Sequence, residues 1–215
     1  NVNDINDTPT DISIDSSSIN ENNDSGVTVA FLSAADQDSG ESHTFSLVSG
    51  SSSTDNDKFT IAGHQLIIKD SADYESQSSY SILLEARDDD GATVVKGFTI
   101  NVNDINDTPT DISIDSSSID ENNYSGTTVA FLSAADQDSG ESHTFSLVSG
   151  SSSTDNDKFT IAGHQLIINE SANFESQSDY TIRLEVTDKG DATYQEDFTF
   201  NVNDINDTPT DILVK

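Results

Sequence analysis

The sequence predicts an all-β protein made of two tandem seven-stranded antiparallel Greek-key β-sandwiches in line. The ten residues NVNDINDTPT begin at residues 1, 101 and 201. A repeat of this length is a whole domain, because about a hundred residues can enclose a core of their own. Within each repeat, apolar residues alternate with polar ones, and turn-forming clusters separate the alternating runs. About seven such runs in about a hundred residues are typical of a β-sandwich.

Each predicted strand of the first repeat has an apolar residue at every second position. Two clusters of turn formers, residues 49–53 and 88–91, separate some of these runs. Leu83 becomes Arg183 in the second copy, which places this position on a solvent-facing side. The predicted inward faces are Val27, Val29 and Phe31; Phe45 and Leu47; Phe59 and Ile61; Tyr80, Ile82, Leu84 and Ala86; and Phe98, Ile100 and Val102.

The repeat sets the predicted domain boundaries. Residues 1–103 form the first repeat with a remnant of a preceding linker, residues 104–203 form the second repeat, and residues 204–215 form a linker and the start of a third repeat. The near identity of the copies indicates recent tandem duplication, so we expect the chain to come from a longer array. The junction between the repeats contains Pro109 and no glycine, which predicts a stiff connection.

The composition excludes several functions. The chain carries 40 acidic and 8 basic residues, for a net charge of −32. Nucleic-acid binding needs a basic face, as does binding to an anionic membrane surface, so neither is expected. Disorder is the simple alternative for such an acidic chain, but the apolar residues are too regularly placed for it. With no cysteine available for disulfides, bound cations are the expected means of stabilisation.

Oxygen ligands are concentrated between the predicted strands and at the junctions. Calcium takes six to eight oxygens from carboxylates, amides, backbone carbonyls and water, so several loops must contribute. Alternate loops of a sandwich gather at opposite ends. The acidic clusters of the first repeat are Glu21 with Asn22, Asp36 with Asp38, Asp73 with Glu75, and Asp88 before Gly91.

These motifs resemble those of cadherin repeats. Residues 104–109, Asp-Ile-Asn-Asp-Thr-Pro, resemble the family linker Asp-x-Asn-Asp-Asn-x-Pro, and residues 136–138 are similar to its Asp-x-Asp motif. Residues 73–75 are similar to the Asp-Arg-Glu motif, Glu21 to the early glutamate, and Asp188 to the aspartate of Ala-x-Asp. The motifs occur in the family order over both repeats. The Ser-, Asp- and Asn-rich composition and the near-identical copies favour a bacterial cadherin-like tandem repeat.

The resemblance implies the metal ligands. In the family, a complete junction holds three calcium ions and is rigid. Thr108 and Asn173 depart from the family pattern; Asn173 removes one carboxylate. The implied ligands are Glu21, Asp73, Glu75, Asp104, Asn106, Asp107, Asp136, Asp138 and Asp188 for the full junction; Asp4, Asn6, Asp7, Asp36, Asp38 and Asp88 for an N-terminal half-site; and Glu121, Glu175, Asp204, Asn206 and Asp207 for a C-terminal half-site.

The predicted function is therefore a calcium-dependent, rod-like extracellular module for adhesion or extension, stiffened by Ca²⁺ at its junctions. The alternative is a calcium-dependent binding module for polysaccharide or for homophilic cell–cell contact, with or without a membrane-anchored parent protein. Expected partners are calcium ions, neighbouring repeats of the same chain, and like molecules or polysaccharide, without direct membrane insertion. Paired carboxylates also occur in glycoside hydrolases, but a site repeated at every junction favours a scaffold, so no enzyme activity is expected. The four histidines, His43, His64, His143 and His164, are expected on strand surfaces rather than at a zinc site.

Overall fold

Alternation of β-branched and aromatic residues with short polar ones produces strands throughout, since such residues pack well on a pleated surface. The computed structural model describes residues 5–38 and 40–207. The chain divides into two units, with the boundary between Ile105 and Asn106. The exact repeat limits given by the sequence stay a prediction. Among the described residues, no helix has the length and apolar character needed to cross a lipid bilayer.

Within the part of the first repeat that the structure describes, there are eight strands and one short 3₁₀ helix, Asn56–Lys58. The strands are β1 (Asp11–Ile14), β2 (Ser18–Asn20), β3 (Thr28–Ala35), β4 (Thr44–Leu47), β5 (Phe59–Ala62), β6 (Gln65–Ile68), β7 (Ser79–Arg87) and β8 (Thr93–Asn103).

The second repeat has the same elements, with its 3₁₀ helix at Asn156–Lys158. Its strands are β9 (Asp111–Ile114), β10 (Ser118–Asp120), β11 (Thr127–Ala135), β12 (Thr144–Leu147), β13 (Phe159–Ala162), β14 (Gln165–Ile168), β15 (Asp179–Thr187) and β16 (Thr193–Asn203).

Each repeat consists of two four-stranded sheets. In the first repeat, one sheet has the order β1-β3-β6-β5 and the other the order β2-β8-β7-β4. In the second repeat the corresponding orders are β9-β11-β14-β13 and β10-β16-β15-β12. Neighbours in the sheets are often distant along the chain, as a Greek-key sandwich requires. The predicted all-β class and the two tandem sandwiches are confirmed.

The first strand of each repeat is divided between the two sheets, which explains eight segments where seven strands are predicted. β1 pairs with β3 in one sheet, and after three residues the chain continues as β2 in the other. β2 runs parallel to β8, with Ser18 opposite Asn101 and Asn20 opposite Asn103. This pair departs from the expected antiparallel pattern, because a strand that changes sheets keeps its direction and meets a neighbour that runs the same way.

The inner faces of β7 and β8 form the centre of the core, as the period of two predicts. Tyr80, Ile82, Leu84 and Ala86 are buried on β7, and β15 buries its equivalent residues. Phe59 packs edge-on against Tyr80, with 5.4 Å between ring centroids. Burial of Ile82, Leu84 or Phe59 contributes about 1.5–3 kcal/mol each to folding.

The predicted inward face of β3 is partly wrong. Val29 is buried, but Phe31 is 53% exposed, and the core is filled by Ala30 and Leu32 instead. The register between β3 and β6 shifts between Thr28 and Ala30. The extra residue of a β-bulge exchanges the two faces of the strand beyond it, so simple alternation fails there.

The start of each 3₁₀ helix supplies hydrogen-bond acceptors to the neighbouring strand. β4 ends opposite Leu84, so the N–H groups of Ser81 and Leu83 on β7 lie beyond its last paired residue. The side chain of Asp55 accepts a hydrogen bond from Ser81 N at 2.7 Å, and Asn56 Oδ1 accepts one from Leu83 N at 3.0 Å. The side chains of Asp55 and Asn56 thereby accept hydrogen bonds from β7 that the backbone of a longer β4 would otherwise accept.

The same contacts determine the acid response of Asp55 and Asp155. Burial raises the pKa of Asp155, but hydrogen bonds from Thr181 N, the Gln177 amide and the Thr154 hydroxyl outweigh it, and the net pKa is lowered. A lowered folded pKa gives stability that is complete above the unfolded value of about 3.9 and is lost as the pH falls through the folded pKa.

We expect Asp155→Asn to lower the unfolding midpoint by about 4 °C at pH 6, because Asn cannot accept the same set of charge-assisted bonds. As the pH falls through the lowered pKa of folded Asp155, the melting curves of the variant and the parent chain are expected to converge, since Asp155 is then protonated in both states. Thermal melts in metal-free buffers from pH 7 to pH 2.5 measure this. A constant difference between the two proteins at every pH would contradict it.

Candidate metal centres

Each repeat gathers acidic and amide side chains into two separate clusters at opposite ends. In the first repeat, the N-terminal cluster is defined by Asn6, Asp7, Asp36, Asp38 and Asp88, and the C-terminal cluster by Glu21, Asp73, Glu75 and Asp104. β8 runs from the turn after Asp88 to the residue before Asp104. Its eleven residues place the clusters about 33 Å apart along the strand direction.

Hydrogen bonds from the incoming segment hold the N-terminal cluster of the first repeat. Asn6 Nδ2 donates to Asp88 Oδ2 at 3.1 Å, and Asp7 N donates to Asp38 Oδ2 at 2.6 Å. Asp38 N donates in turn to Asp36 Oδ1 at 3.2 Å. The predicted ligands Asn6, Asp7, Asp36, Asp38 and Asp88 are thus assembled in one place, whereas Asp4 lies outside the described residues.

The second repeat builds its N-terminal cluster from the equivalent residues. Asn106 Nδ2 donates to Asp188 Oδ2 at 2.9 Å, and Asp107 N donates to Asp138 Oδ2 at 2.7 Å. Asp138 N donates to Asp136 Oδ1 at 3.1 Å. The same bonds recur in both repeats, because the linker and the Asp-Gln-Asp loop are identical in the two copies and the aspartate at position 88 recurs at position 188.

Asp88 and Asp188 are buried carboxylates, each about 5% exposed. Burial raises the pKa of Asp188, but hydrogen bonds from the Asn106 amide and from Ala192 N outweigh it and lower the pKa overall. The pKa of Asp88 is lowered in the same way, by Asn6 and by the backbone of Ala92. Both groups are therefore held as carboxylates at neutral pH, the form that a cation needs.

The N-terminal clusters include a histidine and a glutamate that the sequence reasoning missed. The prediction that His43 and His143 lie on strand surfaces is wrong, since their side chains are only 12% and 13% exposed. His43 Nε2 lies 3.2 Å from Asp36 Oδ2, and ligand atoms of Asp36, Glu41 and His43 lie within 4.8 Å of one another. The spacing of seven residues between Asp36 and His43, repeated in the second copy, is the signal that could have found this contact.

The C-terminal cluster of the first repeat is centred on Glu21, which is 3% exposed. Glu21 Oε2 accepts a hydrogen bond from Tyr74 N at 2.6 Å, and Oε1 accepts one from Ile105 N at 2.7 Å. Carboxylate oxygens of Glu21, Asp73 and Glu75 lie within 4.8 Å of one another, and those of Glu75 and Asp104 are equally close. Glu21 therefore fixes both the loop with the other carboxylates and the point where the chain leaves β8.

Glu121 has the same role in the second repeat, with Oε2 bound to Phe174 N at 3.0 Å and Oε1 to Ile205 N at 2.7 Å. These two backbone donors lower the pKa of Glu121. Carboxylate oxygens of Glu121, Glu175 and Asp207 lie within 4.8 Å of one another. Asp204 and Asn206 precede Asp207 on the same outgoing segment, where Asn206 Nδ2 donates to Asp207 O at 3.1 Å; their part in the C-terminal half-site stays a prediction.

The substitution of Asn173 for Asp73 changes the charge of this cluster but not its local fold. Asp73 Oδ1 accepts a hydrogen bond from Ser76 N at 2.8 Å, and Asn173 Oδ1 accepts one from Ser176 N at the same distance. An amide oxygen thus satisfies the turn as well as a carboxylate oxygen does. The second C-terminal cluster therefore has one negative charge fewer than the first.

The oxygen atoms of the N-terminal cluster in the first repeat are suitable ligands for a hard cation. Asn6 Oδ1 and Glu41 Oε2 are buried oxygens for which the described part of the chain provides no hydrogen-bond partner. Burial, followed by the nearby carboxylates of Asp38, Asp36 and Asp88, raises the pKa of Glu41. A divalent cation stabilises buried oxygens that receive no hydrogen bond and that lie close to other negative charges.

Comparison with known proteins finds similar sequences and structures among the protocadherins. No protein-family model matches the chain. It is 37% identical over 129 residues to protocadherin alpha-2 of Pan troglodytes, covering 56% of this chain and 14% of that protein. It is 31% identical over 155 residues to protocadherin gamma-A3 of Pan troglodytes, covering 70% of this chain and 16% of that protein. The chain thus spans about a sixth or less of the curated relatives named here.

Solved structures show the same likeness. The extracellular domain of protocadherin GammaB4 matches 96% of this chain with 34% of its own length, at 28% identity and a TM-score of 0.63. A structure described as the protocadherin gammaB7 EC3-6 cis-dimer matches 94% of this chain with 49% of its own length, at 26% identity and a TM-score of 0.61. The two repeats are cadherin-like extracellular domains, and the predicted extracellular or cell-surface location is confirmed.

Proposed function

We propose that this chain is a calcium-stiffened extracellular module that extends or presents an adhesive region. The observation that carries the proposal is the repeated construction of both clusters. Each repeat holds a C-terminal cluster around a buried glutamate and an N-terminal cluster around a buried aspartate, with backbone N–H groups fixing both. Domains that carry one such cluster at each end can share ions with a neighbour on either side.

The ligands proposed for a complete junction come from three segments of the chain. Glu21, Asp73 and Glu75 belong to the C-terminal cluster of the first repeat, and the linker contributes Asp104, Asn106 and Asp107. Asp136, Asp138 and Asp188 belong to the N-terminal cluster of the second repeat. A bound calcium ion supplies positive charge that offsets the repulsion among these carboxylates.

The residues of the chain keep the ligands in position without the ion. One carboxylate oxygen of Glu21 accepts a hydrogen bond from Tyr74 N, and the other accepts one from Ile105 N. Each oxygen therefore has a remaining lone pair for a cation. Asp188 similarly accepts from Ala192 N through Oδ1 and from Asn106 through Oδ2. This arrangement reduces the entropy that the carboxylates lose when an ion binds.

Small-angle scattering tests the stiffening. We expect the maximum dimension of the chain to be largest and best defined in millimolar calcium, and to shrink and broaden when calcium is chelated, because the carboxylates of neighbouring clusters then repel one another. Asp138→Asn is expected to require more calcium for the extended form. Asp57→Asn removes the same charge from an exposed residue outside the clusters and serves as the matched control.

An identical scattering profile with and without calcium would refute the stiffening. The same measurement reports a second candidate function, calcium-dependent contact between like molecules. The likeness to the protocadherin gammaB7 cis-dimer structure favours this candidate. A calcium-dependent doubling of the forward scattering at constant protein concentration would indicate it.

The bacterial origin inferred from the composition and the near identity of the repeats stays a prediction, and the curated relatives named above come from Pan troglodytes. The expected lack of enzyme activity also stays a prediction, and the named relatives are protocadherins rather than enzymes.

A further inference from the structure

The segment between β3 and β4 brings a nitrogen ligand to the carboxylates of the N-terminal cluster. It comprises residues 36–43. His43 Nε2 lies 3.2 Å from Asp36 Oδ2, and the side chain of Asp36 is only 3% exposed. One ligand atom each of Asp36, Glu41 and His43 lie within 4.8 Å of one another. The segment therefore offers one imidazole nitrogen and two carboxylates to a single position.

Glu41 has an oxygen that lacks a positive partner. Its Oε2 atom is buried, and residues 5–38 and 40–207 provide no hydrogen-bond donor to it. Burial, followed by the carboxylates of Asp38, Asp36 and Asp88, raises the pKa of Glu41. A buried carboxylate oxygen in such surroundings is costly unless a donor or a cation compensates it.

A clamp next to the group holds the residue between Glu41 and His43. Ser42 donates to the carboxylate of Asp89 twice, through Oγ at 2.7 Å and through its backbone N at 3.2 Å. Because Ser42 is fixed in this way, the backbone that carries Glu41 and His43 is fixed as well. The ligands are therefore positioned before any ion binds, which reduces the entropy lost on binding.

The second repeat builds the same group without this clamp. His143 Nε2 lies 3.0 Å from Asp136 Oδ2, and Glu141 has a ligand atom within 4.8 Å of both side chains. The residue equivalent to Asp89 is Lys189, whose backbone N donates to Glu141 Oε2 at 3.4 Å. The carboxylate that lacks a donor in the first repeat thus has a long hydrogen bond here.

This ligand set differs from that of the proposed calcium centres. Calcium prefers oxygen ligands, whereas imidazole nitrogen suits zinc and its neighbours in the late transition series. Zinc lies about 2.0–2.2 Å from nitrogen and carboxylate oxygen, so two ligand atoms on one ion are about 3.0–3.5 Å apart. The distance of 3.2 Å between His43 Nε2 and Asp36 Oδ2 lies in this range. A hydrogen bond alone would explain that distance, but it would not explain the buried oxygen of Glu41.

We propose that each repeat binds one divalent cation of the late transition series, such as zinc, between its third and fourth strands. In the first repeat the ligands are His43 Nε2, Asp36 Oδ2 and a carboxylate oxygen of Glu41, and water completes the four positions that zinc prefers. Asp36 Oδ1 stays available to calcium. His43 and Glu41 are outside the proposed calcium ligands, so this site is additional to the calcium function. The equivalent ligands of the second repeat are His143, Asp136 and Glu141.

Calorimetric titration of zinc into the full chain tests the proposal, in 1 mM calcium and a phosphate-free buffer at pH 7.5. We expect one zinc ion per repeat in two steps. The first repeat should bind more tightly, because Asp89 fixes its segment and no backbone N–H competes for Glu41 Oε2. His43→Gln and Glu41→Gln should each weaken the tighter step about tenfold or more, since each removes a metal ligand. Gln at position 43 can still donate to Asp36, so the local fold is kept.

Cobalt(II) in place of zinc reports the ligands directly. A four-coordinate cobalt site with a nitrogen ligand absorbs visible light, and this absorption should decrease in His43→Gln. His64→Gln is the matched control, because His64 is an exposed histidine of the same repeat, and its loss should change neither readout.

The proposal is overturned if the parent chain takes up no zinc in 1 mM calcium, or if His43→Gln and the parent bind zinc equally. An equal loss of binding in His64→Gln and His43→Gln would also overturn it. Scattering measures the calcium-dependent extension separately, so the zinc site and the calcium function can each fail without the other.

Discussion

Calcium at a hundredfold excess over its dissociation constant is expected to raise the unfolding midpoint of this chain by about 10–20 °C, and chelation is expected to reverse the rise. An ion that binds only the folded state at that excess adds about 2.7 kcal/mol per site. For a domain of about a hundred residues, each kcal/mol moves the midpoint by about 4–8 °C. The physical reason is the relief of repulsion among the buried and half-buried carboxylates of the clusters.

Differential scanning calorimetry at fixed pH with calcium, with magnesium and with chelator measures this effect. Asn173→Asp restores the carboxylate that the second C-terminal cluster lacks, and we expect it to enlarge the stabilisation by calcium. The turn bond to Ser176 N is available to either side chain, so the folded structure should not change. If calcium and chelator gave the same midpoint, the proposed metal centres would have to be abandoned.

Phe159→Ala is expected to destabilise the second repeat by about 3–5 kcal/mol, because it empties the centre of that core. Phe159 is 3% exposed. Its ring packs edge-on against Tyr180 at 5.6 Å between centroids and lies 5.9 Å from Phe200. The residues around Phe159 belong to the two sheets of the second repeat, and hydrogen-bonded strands cannot move far into the cavity that the substitution leaves. Most of that cavity should therefore remain. Chemical denaturation of the parent and the variant gives the difference in free energy of unfolding.

Two matched variants separate the packing effect from the loss of any phenyl ring. Phe131→Ala removes an exposed ring and should change stability by less than about 0.5 kcal/mol. Phe59→Ala should cost slightly less than Phe159→Ala, because Ile100 occupies the position of Phe200 in the first repeat. Equal effects of Phe131→Ala and Phe159→Ala would show that the described core does not determine stability.

The strand pattern of this protein is predictable where a strand is long and regular. β7 and β15 bury every second residue, as their alternation of apolar and polar side chains indicates. The bulge in β3 is not predictable in this way, because a one-residue shift in register leaves no mark in composition. Phe31 therefore lies on the solvent side despite its apolar ring.

The candidate metal centres are predictable in part, since carboxylates in loops at one end of a sandwich must lie near one another. The roles within each cluster are not predictable from spacing. Glu21 and Asp88 are the buried anchors that accept backbone hydrogen bonds, while Glu75 and Asp104 are exposed. His43 joins the cluster through a contact with Asp36, only seven residues earlier in the chain, and that short spacing, present in both repeats, is the signal that the sequence holds for it.

The parallel pairing of β2 with β8 has a mechanical consequence. A load applied to the two ends of a repeat pulls β2 toward its first residue and β8 toward its last. Because the strands run in the same direction, this tension acts along the strands, and the hydrogen bonds of the pair must rupture together rather than one after another. A tethered filament of such repeats should therefore resist drag from flowing liquid better than its modest hydrophobic interior suggests.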